Sequence, residues 1–382
     1  MTEWKEYKLG EIAEIVGGGT PDTSNKEYWG GNIPWLTPKD LTGYNKIFIS
    51  SGERFITEEG LDNSSTKLLP QGTVLLSSRA PIGYVAIASN PICTNQGFKS
   101  IICNKDIVDN LYMYYWIKNN TELLQSLGTG TTFAEISGSV VKSIDISLPP
   151  LPEQIRIASI LSSLDDKIDL LHRENKTLEA MAETLFRQWF IEEAKEDWKE
   201  GKLGDEFEFT MGQSPNGDSF NEDGIGFPMY QGNADFGFRF PTRRVFTTQP
   251  TRFAEINDTL ISVRAPVGAQ NMATEKCCIG RGVAAFRYKH NHDFYSYTYY
   301  KLKSLLEEIK QYNDNGTVFG SISKSDFENI DIVIPDINTI QHFQEQVKPI
   351  DDKIINNNNQ IQTLIQQRDS LLPKLMSGEV KI

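Results

Sequence analysis

The chain has 382 residues, of which 39% are hydrophobic and 10% aromatic, so it can build packed cores for two or three domains and is not globally disordered. It contains no apolar run near the ~18 residues of a membrane helix and no hydrophobic signal-peptide segment at its start, so we expect a soluble, cytoplasmic protein with no membrane partner. A formal net charge of −13 weighs mildly against nucleic-acid binding, because DNA-binding proteins neutralise phosphates with lysine and arginine.

The first part of the chain, which we name the first head (residues 1–150), predicts a mixed α+β globule. A glycine-rich turn at residues 16–21 either offers backbone N–H groups to a phosphate or is a simple turn before a strand. The short runs that favour strands, followed by one helical stretch, are residues 73–76, 84–88, 98–102 and 110–127.

The next segment, the first long helix (residues 151–195), predicts a helix because Pro152 suits a helix N-terminus and no further glycine or proline occurs up to residue 190. Its apolar residues alternate steps of four and three, which is the heptad spacing of a coiled-coil seam. The seam residues are Ile157, Leu161, Leu164, Ile168, Leu171, Asn175, Leu178, Ala182, Leu185 and Trp189.

The rest of the chain repeats this plan. The second head (residues 196–336) has β-favouring runs at 259–263 and 282–288 and a helical stretch at 295–312, and the second long helix (residues 337–382) has a seam that matches the first position for position. That seam consists of Phe343, Val347, Ile350, Ile354, Asn357, Ile361, Leu364, Arg368, Leu371 and Leu375. Short motifs recur in the same order at offsets of 185 to 194 residues, so the chain contains two whole modules in tandem.

A narrow seam cannot bury itself, so the simplest arrangement packs the two long helices on each other as an antiparallel coiled coil. Each seam carries a polar asparagine at a different level, Asn175 and Asn357, and a buried asparagine fixes the register of such a pair. Some 35 helical residues would then span about 50 Å at ~1.5 Å each. The alternative is two unrelated amphipathic helices, each lying on its own head. The carboxylate pairs Asp165-Asp166 and Asp351-Asp352 flank the seams, and we interpret them as solvated edges of the coiled coil.

Inside the acidic total, each head has a basic middle. Residues 63–105 contain four basic and no acidic side chains, and residues 236–292 contain nine basic and three acidic ones. Arginine suits phosphates and guanine edges, although a solvated face with counter-ions elsewhere would show the same composition. The amides of Asn95 and Gln96 could read adenine, or they form an ordinary turn.

The sequence shows no metal site or catalytic set of its own. Its four cysteines form no Cys-x-x-Cys pair, and His290 and His292 have no carboxylate or cysteine at ligand spacing. An Asp/Asn-Pro-Pro-aromatic methyltransferase motif and a glycine-rich loop for S-adenosylmethionine are also absent from the sequence. We therefore expect a non-catalytic chain. A self-contained DNA methyltransferase and a repeat-built adhesion or scaffold protein remain alternatives.

Two variable heads, each followed by a near-identical long helix, resemble the specificity subunit of type I restriction–modification systems. The motifs that carry the resemblance are Gly19-Thr20-Pro21 and Ser214-Pro215, Arg79-Ala80-Pro81-Ile82-Gly83 and its copy from Arg264, Asn95-Gln96-Gly97, Gly130-Thr131-Thr132, and Leu148-Pro-Pro-Leu-Pro-Glu-Gln154 running into Leu161–Ile168. The second copy departs from the pattern where Gly280-Arg281-Gly282 replaces Asn95-Gln96-Gly97.

The resemblance implies two target-recognition domains, each reading one half of a split, asymmetric site on double-stranded DNA. It implies that the paired helices set the spacer between the half-sites and bind two modification (adenine methyltransferase) subunits, which restriction (helicase-nuclease) subunits join. S-adenosylmethionine, ATP and Mg are then expected on the partner subunits, and no cofactor on this chain.

The basic windows and the motifs together give two sets of candidate residues. The candidate DNA contacts are Gly19, Thr20, Lys67, Arg79, Asn95, Gln96, Lys99, Thr131, Ser214, Arg239, Arg243, Arg244, Arg264, Arg281 and Thr317. The candidates for subunit docking and the coiled-coil seam are Leu161, Leu164, Ile168, Leu171, Asn175, Leu178, Leu185, Val347, Ile350, Ile354, Asn357, Ile361, Leu364 and Leu371.

Overall fold

The computed structural model describes residues 4–130, 134–311 and 320–382. The chain forms two compact units, the first unit (residues 1–172 and 358–382) and the second unit (residues 173–357). Two of the candidate DNA contacts, Thr131 and Thr317, lie outside the described residues. No helix in the described part of the chain has the length and apolarity needed to cross a membrane.

The first unit contains the first head and parts of both long helices. Its strands are β1 (Lys5–Lys8), β2 (Ala13–Gly17), β3 (Trp29–Leu36), β4 (Phe48–Ile49), β5 (Arg54–Ile56), β6 (Val74–Ser78), β7 (Ile82–Ala88), β8 (Cys93–Thr94), β9 (Phe98–Cys103) and β10 (Asp145–Leu148). Its helices are α1 (Leu9–Ile12), α2 (Glu58–Asp62), α3 (Asn110–Asn119), α4 (Thr121–Ser126), α5 (Gly138–Ser143) and the start of α6 (Leu151–Arg187), with 3₁₀ turns at Lys26–Tyr28 and Pro38–Leu41.

The centre of the first head is a five-stranded sheet in the order β2-β9-β6-β7-β4, accompanied by the sheets β5-β3-β8 and β1-β10. Strand β6 is buried along its whole length, because its Val and Leu side chains face apolar layers on both sides of the sheet. The predicted helix at 110–127 is two helices, α3 and α4, which divide at Asn120. Helix α3 starts at Asp109, whose carboxylate accepts the Leu111 and Tyr112 N–H groups.

The second unit contains the second head and the other parts of the long helices. Its strands are β11 (Lys199–Lys202), β12 (Phe207–Met211), β13 (Phe220–Asn221), β14 (Phe227–Tyr230), β15 (Val245–Thr247), β16 (Phe253–Ala254), β17 (Thr259–Ser262), β18 (Gln270–Met272), β19 (Cys277–Ile279), β20 (Val283–Tyr288) and β21 (Asp331–Ile334). Its helices are α7 (Leu203–Glu206), α8 (Tyr295–Ser304), α9 (Leu306–Gln311), α10 (Lys324–Glu328) and the start of α11 (Ile337–Met376), with short helical turns at Gly217–Ser219, Asn233–Asp235 and Gln188–Glu192.

The second head repeats the strand plan of the first. Its sheets run β12-β20-β17-β18, β13-β15-β14-β19-β16 and β11-β21. The antiparallel pair β17–β20 corresponds to the pair β6–β9, at the offset of 185 residues seen in the sequence. The core of this unit is rich in aromatic rings, and Phe186, Phe190 and Phe343 pack around Tyr297 of α8.

The two long helices pack on each other in antiparallel fashion. In the first unit, Ile168 and Leu171 of α6 pack on Ile361 of α11. In the second unit, the Nδ2 of buried Asn357 donates to the Oδ1 of buried Asn175 at 2.8 Å, and the ring of Phe186 contacts Phe343. Within each unit, higher numbers in α6 meet lower numbers in α11, which is the antiparallel direction that was predicted.

The predicted seam residues lie on the inner faces of α6 and α11. The buried members are Ile157, Leu161, Ile168, Leu171, Asn175, Ala182, Phe343, Val347, Ile354, Asn357, Ile361 and Leu375, and the half-buried ones are Leu164, Leu178, Leu185, Trp189, Ile350, Leu364, Arg368 and Leu371. The helices also pack on the heads, because Ile157 and Leu161 join the core of the first head and Phe186 joins that of the second. Packing on the partner helix and packing on the head therefore occur together.

The prediction of solvated carboxylates beside the seams was wrong for the first aspartate of each pair. In the first unit, Asp165 accepts the Tyr115 hydroxyl at 2.7 Å and the Arg368 Nη1 at 2.6 Å, and its side chain is only 12% exposed. This cluster joins α3 to both long helices. This heptad position next to a seam is half-buried because a head helix partly covers it.

The equivalent cluster of the second unit takes its arginine from the head. Asp351, at 1% side-chain exposure, accepts the Arg239 Nη2 at 2.8 Å and the Tyr300 hydroxyl at 3.1 Å. The Arg239 guanidinium also lies 3.3 Å from the centre of the Tyr299 ring. Burial lowers the pKa of Arg239, but Asp351, the two tyrosines and Glu179 outweigh it and hold that pKa above its usual value. Arg239 was predicted as a DNA contact, and the structure instead places it in the interior.

Candidate nucleic-acid interface

In the first head, the glycine-rich turn after β2 lies directly on the Asn95-Gln96 turn. The Gly19 N–H donates to the Thr94 carbonyl at 2.9 Å, and the Thr20 hydroxyl donates to the Gln96 side chain. A Cβ on Gly19 would lie 2.2 Å from the Ser65 Oγ, so only glycine fits this close approach. The amide of Gly19 is thus used inside the protein, while Thr20 and Gln96 are exposed together.

The Asn95-Gln96 turn in turn adjoins the hairpin that carries Arg79. The Asn95 Oδ1 accepts the Gly97 N–H at 2.9 Å, and the Gly97 carbonyl accepts the Ser78 N–H at 2.7 Å. Asn95 therefore uses part of its amide to shape the turn. These bonds hold the turn beside the residue that follows β6, which is Arg79.

A serine shapes the arginine hairpin in the same way in each head. The Ser77 hydroxyl donates to the Pro81 carbonyl at 2.7 Å and accepts the Tyr84 N–H at 2.8 Å. In the second head, the Ser262 hydroxyl donates to the Pro266 carbonyl at 2.8 Å and accepts the Ala269 N–H at 2.8 Å. The two hairpins present Arg79 and Arg264 from equivalent backbone positions.

The cations of the first head share one carboxylate, which the sequence analysis did not single out. The Lys99 Nζ lies 2.9 Å from the Glu135 Oε1, and the Arg79 Nη1 lies 3.7 Å from the Glu135 Oε2. Backbone bonding places Glu135 there, since the Ile136 N–H donates to the Ser78 carbonyl at 3.0 Å. Glu135 lies outside the basic window at 63–105, so a count of charges along the sequence does not find it.

The second head brings Ser214, Arg264 and Arg281 together in the same way. The Arg281 N–H donates to the Ser214 Oγ at 3.2 Å, and the Val263 N–H donates to the Gly282 carbonyl at 2.9 Å. This backbone bond holds Arg264, which follows Val263, close to Arg281, which precedes Gly282. Both arginine side chains are exposed. Exposed arginines at such an edge suit phosphate oxygens and base edges.

The remaining candidates divide into two groups. Lys67 is exposed and follows Thr66, whose hydroxyl donates to the Thr94 carbonyl at 2.9 Å, so its backbone lies close to the segment that leads into the Asn95-Gln96 turn. Arg243 pairs with Glu275, and Arg244 pairs with the buried Asp235, each at 2.5 Å. Hydrogen bonding to Asp235 raises the pKa of Arg244.

The comparisons with known proteins agree with this arrangement of paired heads and helices. The family model described as the type I restriction modification DNA specificity domain matches residues 1–180 and 195–367. The chain belongs to this family of type I restriction–modification specificity subunits.

Its relatives include the type I restriction enzyme MjaIX specificity subunit of Methanocaldococcus jannaschii, which is 36% identical across all of this chain and 94% of the relative. The EcoR124I/EcoR124II specificity subunit of Escherichia coli is 35% identical over 43% of this chain and 41% of its own length. A crystal structure of the type I restriction–modification S subunit from M. genitalium has the same fold, with a TM-score of 0.64 at 20% identity over 98% of this chain and 96% of that one.

Proposed function

We propose that this chain gives a type I restriction–modification complex its DNA specificity, with each head reading one half of a bipartite, asymmetric site. The observation that carries the proposal is that the hairpin and the neighbouring turn have equivalent backbones in the two heads but carry different side chains. Where the first head has Gln96 and Lys99, the second has Arg281 and Ala284. Because each base pair presents its own pattern of donors and acceptors in the major groove, different side chains on one scaffold favour two different half-sites.

The long helices are proposed to set the spacer and to dock the partner subunits. Heptad packing along α6 and α11, with the Asn175–Asn357 hydrogen bond, keeps the helix pair in one register. We propose that two modification subunits bind these helices and that restriction subunits complete the assembly.

The chemistry of methylation and cleavage is proposed to belong to the partners. The described residues contain no group of three or more His, Cys, Asp or Glu side chains suited to a metal ion. We propose, from the family to which the chain belongs, that S-adenosylmethionine, ATP and Mg bind to the partner subunits. Methyl transfer by the isolated chain would contradict this assignment and favour a self-contained methyltransferase.

Exchange of one head tests the division of labour. Residues 1–150 are replaced by the corresponding head of another family member, and the methylated sites are read from the host genome in the presence of the modification subunit. We expect one half of the site to change and the other to stay. A change in both halves would refute independent reading by the two heads.

A matched insertion tests the role of the helices. One heptad is added to α6 after Asn175 and one to α11 before Asn357, so that the seam stays in phase on both helices. Seven residues add about 10 Å to each helix, which corresponds to roughly three base pairs at 3.4 Å each. We expect a spacer longer by about that amount with unchanged half-sites, and an unaltered spacer would refute the proposed ruler.

A further inference from the structure

The two heads differ in charge at the position beside the hairpin arginine. Glu135 forms an isolated backbone bridge with Arg79, and Ser321 forms the same bridge with Arg264. The neighbouring N–H bonds are also equivalent, since Ile136 donates to Ser78 and Ile322 donates to Val263. The position beside the hairpin arginine therefore holds a carboxylate in the first head and a hydroxyl in the second.

This difference changes how the cations of each head are used. In the first head, Glu135 faces both Arg79 and Lys99, at 3.7 and 2.9 Å. In the second head, Ala284 stands where the first has Lys99, and Arg264 has no ion pair among the described residues. The first head thus commits two cations to one internal carboxylate, whereas Arg264 and Arg281 are exposed, and no carboxylate of the described residues pairs with them beside the hairpin.

We propose that Glu135 weakens phosphate binding by the first head, so that the second head is the main electrostatic anchor of this chain on DNA. The inference rests on the proposed function, because it takes these edges as the DNA-facing surfaces. A cation already paired with a carboxylate has to exchange that partner for a phosphate, and the freed carboxylate then repels the DNA. Glu135 is in this sense a determinant of unequal affinity between two heads of similar fold.

The size of the effect follows from counterion release. Each phosphate contact contributes about −0.9 to the slope of log K against log salt on B-DNA. Each contact therefore makes the binding constant about eightfold larger at 0.1 M salt than at 1 M salt. Removing the carboxylate frees at most two cations, so the slope becomes steeper by about 1 to 2. Adding a carboxylate beside Arg264 makes the slope shallower by about 1.

The experiment measures binding of the full chain to a fluorescently labelled 40-base-pair duplex of random sequence by anisotropy, at several salt concentrations. The variants are Glu135→Gln, Glu135→Ser and the reciprocal Ser321→Glu. Two controls make the same charge changes on exposed side chains outside these edges, Glu379→Gln after α11 and Gln362→Glu on α11. Circular dichroism verifies that each variant is folded.

We expect both Glu135 variants to bind more tightly with a steeper salt slope, Ser321→Glu to bind more weakly with a shallower one, and the controls to match the wild type within a few tenths of slope. If the wild type binds with salt dependence but the Glu135 and Ser321 variants match the controls, the unequal-anchor inference is wrong while the proposed function stands. If the wild type shows no salt-dependent DNA binding, the proposed function itself fails.

Discussion

Removing the guanidinium of Arg239 should destabilise the second unit far more than removing that of any surface arginine. The change Arg239→Met keeps most of the side-chain volume but leaves Asp351 buried without its cation. Both side chains are 1% exposed and their atoms lie 2.8 Å apart. Breaking a buried ion pair on one side costs about 3–5 kcal/mol, because the remaining charge is left uncompensated. For a unit of this size we expect an apparent Tm lower by roughly 6–20 °C.

Thermal unfolding followed by circular dichroism, with urea titration for the free energy, measures this effect. Arg243→Met is the matched control, because its partner Glu275 is paired at the surface and exposed pairs contribute about 0–1 kcal/mol. The double variant Arg239→Met/Asp351→Leu removes both charges and should recover much of the loss. A cost below 1 kcal/mol for Arg239→Met alone would refute the assignment of Arg239 to the interior.

Three further outcomes follow from other parts of the structure. Burial raises the pKa of Glu206 to about 7, so in this pH range the folded protein binds a proton at Glu206 more tightly than the unfolded chain does. The free energy of unfolding should therefore fall by up to about 3 kcal/mol as the pH rises from 4.5 to 7. Urea titrations across that range should show a flatter profile for Glu206→Gln, and equal profiles would contradict the shift. Asn357→Leu leaves Asn175 buried without its hydrogen-bond partner and should lower the free energy of unfolding by about 1–3 kcal/mol in thermal unfolding, whereas Asn175→Leu/Asn357→Leu should not. If the single and double variants lose the same stability, the unpaired asparagine is not the cause. Arg264→Ala should weaken DNA binding and reduce the salt slope by about one, and unaltered affinity would mean that Arg264 is structural.

The long helices, the repeat and the main strands were predictable because their signals are periodic and local. The heptad spacing identified Asn175 and Asn357 as seam residues but placed them at different levels, whereas the structure joins them by a hydrogen bond. The division of the stretch at 110–127 was not predicted, because Asn120 interrupts the helix by a local backbone change that leaves the apolar pattern intact. Such a break alters one residue, whereas the apolar periodicity is averaged over many.

The ionic clusters were missed because their partners are far apart in the sequence. Asp165 looked solvated from its heptad position, and the side chains that cover it come from residues 115 and 368. Arg239 counted as part of a basic window, although Asp351, more than a hundred residues later, neutralises it inside the unit. A count of charges in a sequence window includes only residues that are close along the chain. These ion pairs form between distant residues, when the head packs on the helices.

The candidate interface was predicted in part. The motif residues Thr20, Gln96 and Arg79 were selected separately, and the structure brings them to one edge of the first head through the bonds of Gly19 and Gly97. The sequence could not show that these segments meet, because their separation of up to 76 residues carries no local signal. Their contacts with DNA stay a prediction.

The central claim is that two heads on one chain read two different half-sites. Methylome sequencing of a host that expresses this chain with its modification subunit tests this claim most directly, because it reports the methylated base, both half-sites and the spacer together. We predict a bipartite motif with two dissimilar halves separated by a spacer of unspecified sequence. A continuous motif, or two identical halves in palindromic arrangement, would contradict the claim.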